Sequence, residues 1–112
     1  MAEEPRETPV LDLLARMTAD SLEASTLDPQ TLMLVRIAAL VAVDAPPVSY
    51  MLNLSAAGDL DVEVEQVRGV LAAVAPIVGT ARVTSATGKI VRALALELEL
   101  AELALEAAEE DS

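Results

Sequence analysis

Tyr50 is the only aromatic side chain in a sequence that is 54% hydrophobic, so any core has to be assembled from small aliphatic groups. The 112 residues include 21 Ala, 18 Leu and 13 Val, with neither Phe nor Trp. Side chains of this size let helices approach closely. They also withhold the aromatic platforms on which bases, sugars and most cofactors stack. So much apolar content argues against disorder, and a chain of this length can bury a core without a disulfide or a metal.

Charge and residue usage narrow the chemistry further. Nineteen acids against seven bases give a net charge of −12, which repels a phosphate backbone and excludes nucleic acid as a natural partner. The absence of Cys and His removes zinc and iron–sulfur ligation, thiol redox chemistry and imidazole acid–base catalysis together. No cofactor and no metal are expected. The longest apolar runs, Ile37–Val43 and Val70–Val78, fall far short of the roughly 20 residues that span a bilayer, so no membrane partner is expected. The acidic start lacks the basic and apolar stretches of a secretory signal, which points to a cytoplasmic protein.

Read along the chain, the pattern is all-α, a small bundle of about five helices. Residues 1–7 are polar and read as a disordered lead-in to a helical domain over 8–112. Thr8-Pro9 and Asp28-Pro29 each pair a capping residue with proline at the first helical position. In the first helix Val10, Leu13, Leu14, Met17 and Leu22 share a face. The second is apolar almost all round, with Leu32, Met33, Val35, Ile37, Leu40 and Val43 leaving only Arg36 charged, the signature of a buried helix. Asp44-Ala45-Pro46-Pro47 has to break it. A third helix is expected over Val48–Ala57 with Gly58 as its left-handed cap, then a fourth capped by Asp61 and carrying Val64, Val67, Val70, Leu71 and Val74. Pro76 and the Gly79-Thr80 turn close the fourth.

The last helix, expected over about Ala81–Glu109, holds the least ordinary pattern. Leu94, Leu96, Leu98 and Leu100 alternate as a strand would, yet their neighbours are Ala and Glu, and no β-branched residue follows Arg92. Propensity favours helix. On a helix Leu94, Leu98 and Leu105 fall on one side, with Leu96, Leu100 and Leu103 nearly opposite. Two apolar faces suit a helix held between its own subunit and a neighbour, and Leu96, Leu100 and Leu103 are the expected oligomer interface. Residues 97–112 add six Glu, one Asp and no base, a segment that repels any like segment brought beside it.

For catalysis, the only side chains worth weighing are Tyr50, Arg36, Lys89 and the carboxylates. Tyr50 follows the double-proline break, a position from which its hydroxyl could reach a crevice; a packed ring with a bonded hydroxyl is the commoner outcome. Arg36 is either an anion anchor or a structural ion-pair partner. Glu63 and Glu65 sit where a helix start favours negative charge, so they read as capping residues rather than metal ligands. Gly69, Gly79 and Gly88 have no phosphate-loop spacing.

Three stretches, LDPQTLMLVRIAALVAV, SYMLNLSAAGDLDVEVEQVRGVL and APIVGTARVTSATGKIVRAL, together resemble the carboxymuconolactone decarboxylase family, which includes the alkylhydroperoxidase D-like proteins. The resemblance covers about 60% of the chain. It implies a helical protomer in a trimer or hexamer. In redox-active members a C-x-x-C pair, with His four residues beyond, precedes the glycine matched by Gly58. Val43, Pro46 and Tyr50 hold those places here, so no catalytic residue carries over. The expectation is therefore a catalytically silent, self-assembling oligomer, with a second assembly component as a further partner. The alternative is a Cys-free enzyme acting on a small lactone acid through Tyr50 and Arg36. The tail LALELELAELALEAAEE is what a designer would choose for an extended helix and is equally at home in high-GC genomes, so natural and engineered origins both stay open.

Overall fold

The computed structural model describes residues 8–110, apart from the side chains of 96–98, 100 and 101. Five α-helices account for nearly all of the described chain: α1 (Pro9–Ala24), α2 (Pro29–Ala42), α3 (Pro47–Asp59), α4 (Val64–Val78) and α5 (Thr80–Glu110). The segment 1–7 read as disordered lies outside the described residues, as do the side chains of Leu96 and Leu100.

Proline opens three of the five helices, because its fixed φ suits the first turn and its missing N–H is an orphan there in any case. The Asp28 cap forms as the sequence requires: its carboxylate accepts from the Thr31 backbone N–H at 3.1 Å and from the Thr31 hydroxyl at 2.7 Å. Those two bonds hold the Asp28 carboxyl below the usual carboxylate range. Thr8 caps less directly, donating its hydroxyl to Asp12 at 3.4 Å rather than accepting from the helix backbone.

Two boundary expectations need correction. Gly58 does not end α3, which continues through it to Asp59; the left-handed residue beyond is Asp61, at φ 63°. Asp61 is accordingly spent on the turn, and Glu63 caps α4 instead, its backbone N–H donating to Gln66 Oε1 at 2.9 Å. The Asn/Asp class tolerates the left-handed region well enough to displace a glycine from that duty. Pro76 sits inside the last turn of α4, and the break comes at Gly79, whose φ of 88° few other residues adopt.

The core is centred on α2. Leu32, Met33, Ile37 and Val41 are buried there against Tyr50, Leu54 and Ala57 of α3, Val67 of α4, and Ala86, Ile90 and Ala93 of α5. The small residues Ala57, Ala86 and Ala93 at the contacts allow the close helix approach that an aliphatic composition calls for. Burial of α2 is nevertheless one-sided: Val35 is exposed on the helix, as is Val43 at its C-cap.

Helix α1 departs most from the sequence pattern. None of its residues is buried, and Val10, Leu11, Leu13, Leu14, Met17 and Leu22 are all at least 46% exposed. Its apolar stripe is present but is not buried against the core; Leu22 alone of the stripe lines the cleft toward α2 and α3 described below. Helix α5 behaves similarly beyond the body of the bundle, where Leu103 is 60% and Leu105 65% exposed.

Candidate functional site

Tyr50 occupies the centre of the core, fully buried, and its hydroxyl has no hydrogen-bond partner among the described residues. The ring packs as expected; the bonded hydroxyl does not materialise. Burial, with a smaller contribution from the negative charge of Asp44, raises the phenol above its ordinary pKa. Tyr50 lines none of the clefts described below.

Arg36 lies beside Met33 on α2, and its guanidinium donates to the Thr18 carbonyl at 3.4 Å and to the Ser21 hydroxyl at 3.1 Å. It clips α1 to the body. Arg36 also lines a cleft of about 380 Å³ between α1, α2 and α3, whose walls include Met33, Leu52 and Leu60. Tyr50 is not part of that lining, so the two residues weighed for acid–base chemistry do not share a site.

The polar cluster that the fold does assemble lies at the α2–α3 corner. Asp44 takes a left-handed φ of 51° there and receives Lys89 Nζ at 3.0 Å and the Ser85 hydroxyl at 2.8 Å. Lys89 also donates to the Ala45 carbonyl at 2.6 Å, and Arg82 donates to the Ala42 carbonyl. Lys89 and Arg82 thereby satisfy carbonyls freed at the end of α2, while Ser85 holds the Asp44 carboxylate. Ser85 first and Lys89 second hold Asp44 below the usual carboxylate range. Sequence reasoning missed this cluster: Asp44 and Lys89 lie 45 residues apart, and no local pattern links them. The neighbouring surface pocket of about 240 Å³ carries Lys89 and Arg92 with Thr84, Ser85 and Gly88.

A cavity of about 190 Å³ between α3, α4 and α5 is lined by aliphatic side chains such as Leu54, Val67, Ile90 and Leu94, with no titratable group. It can hold apolar matter but offers nothing to activate it. Glu63 is the N-cap of α4 and Glu65 pairs with Arg68 at 2.8 Å, and no cluster of potential metal ligands forms among the described residues. Within the same residues no helix is long and apolar enough to cross a membrane.

The expected interface set is only partly described: Leu103 is exposed, and the side chains of Leu96 and Leu100 lie outside the described residues. Among the described residues sixteen large aliphatic side chains are exposed, six of them on α1. No protein-family model, curated protein or solved structure matches the chain.

Proposed function

We propose that this chain is a catalytically silent, self-associating helical subunit, a homo-oligomer built on a carboxymuconolactone decarboxylase-like scaffold and serving as an assembly component. The observation that carries the reading is surface area. The protomer exposes 8187 Å², against roughly 5,900 Å² for a folded monomer of 11.7 kDa. The surplus, on the order of 2,000 Å², matches what two or three standard contacts remove at about 800 Å² per partner. Much of it is aliphatic, and exposed apolar surface on this scale marks a contact region.

The chemistry agrees. The chain has no His and no Cys, Tyr50 is sealed in the core, and Arg36 is engaged by α1. Sedimentation velocity at micromolar concentration tests the proposal. The expected result is a species of several protomers, a hexamer or trimer on the resemblance; a single 11.7 kDa boundary overturns it.

A further inference from the structure

The charges of α5 run the wrong way for a lone helix. Over residues 80–96 it carries Arg82, Lys89 and Arg92 and no acid; over residues 97–110 it carries six Glu and no base. A helix has its partial positive charge at the N-terminus and its partial negative charge at the C-terminus, so bases first and acids last oppose the macrodipole at both ends. Within the helix's own sequence the first turn has no acid and the last turn no base. No other helix has more than one base; within this half Lys89 is held by Asp44 and Arg82 by the Ala42 carbonyl, which leaves Arg92 as the base free to meet a second chain.

We infer that α5 pairs antiparallel with α5 of a second copy, the acidic half of each lying along the basic half of the other. This deepens the self-association proposed above and rests on it. Antiparallel packing opposes the two macrodipoles and brings the segregated charges into register. A parallel or purely threefold arrangement of these segments would gather the glutamates of every copy at one place.

The exposed face of α5 fits such a partner. Thr84, Gly88, Val91 and Ala95, then Glu102 and Leu105, are exposed and recur at spacings of three, four and seven, one continuous outward stripe on the side away from Ala86, Ile90 and Ala93. The first half of that stripe is small and the second half carries Leu105. A β-carbon at Gly88 would meet nothing within 4 Å in its own protomer, so the protomer itself has no use for a glycine that weakens the helix interior. With a twofold axis midway between Ala95 and Leu96, Leu105 of one copy comes within about 3 Å, measured along the axis, of Gly88 of the other. Arg92, exposed and without an ion-pair partner among the described residues, comes level with Glu99 and near Glu102. A twofold contact of this kind yields a dimer, or a hexamer when combined with a threefold, but never a lone trimer.

The absence of native Cys makes the test clean. Arg92→Cys and Glu99→Cys are purified separately, checked for helicity by circular dichroism, mixed and oxidised. The inferred pairing predicts a covalent 92–99 heterodimer in the mixture and no covalent dimer from either variant alone. In that register two copies of residue 92 stand about 10 Å apart along the axis, beyond disulfide reach. Dimers within a single variant, or none in the mixture, overturn it. Charge reversal gives a second reading: Arg92→Glu and Glu99→Arg each weaken association on the order of tenfold, and the two together restore it. Failure of the double variant to recover also overturns the pairing. The wild-type mass separates the levels, because a monomer removes the self-association reading with it, whereas an oligomer indifferent to these variants removes only the α5 pairing.

Discussion

Tyr50 and Asp44 show how single groups in this chain depart from their neighbours. An unpartnered phenol hydroxyl at zero exposure is a net cost, so Tyr50→Phe is expected to raise unfolding free energy by about 1 kcal/mol in denaturant titration. A loss of stability would mean that the hydroxyl is engaged after all. Asp44 works in the opposite sense. Ser85 and Lys89 depress its folded pKa below the unfolded value near 3.9, so its contribution is fully present above about pH 4 and disappears as pH falls through the folded value. Asp44→Asn keeps a side chain tolerant of the left-handed φ while removing the charge. The variant is expected to melt below wild type at pH 7 and to converge with it near pH 2. A gap independent of pH would assign the effect to the turn rather than to the carboxylate.

At the level of elements, the proline-opened helices were legible because capping is local: Asp28 with Thr31, or Pro9 after Thr8, needs only adjacent residues. The exchange of roles between Gly58 and Asp61 was not, since two residues three apart both suited the left-handed turn and helix continuation decided between them. The Lys89–Asp44–Ser85 cluster was invisible for another reason: it exists only once α5 packs across the α2–α3 corner. Periodicity identified the stripe of α1 but not its direction, for an amphipathic helix looks alike whether it faces its own core or another chain. For α5, two exposed leucines are described: Leu105 lies on the outward stripe, and Leu103 lies off it. Leu105→Glu is expected to leave the circular dichroism spectrum unchanged and to weaken association by about 2 kcal/mol per contact, the worth of one buried leucine. Added salt is expected to loosen the wild-type assembly, because opposite charges across α5 are screened. Tightening with salt would indicate that like charges meet there instead.

For the whole molecule, dimensions and surface point the same way. The radius of gyration is 16.8 Å and the extents are 53 × 44 × 27 Å, whereas a compact domain near this length has a radius of about 13 Å. A bundle centred on α2 with α1 and the end of α5 held outside it is the shape the proposed self-association calls for. Native mass spectrometry at micromolar concentration tests the central claim most directly. Self-association through a twofold α5 contact predicts an even multiple of 11.7 kDa, two or six copies, while a dominant 11.7 kDa monomer would contradict the account.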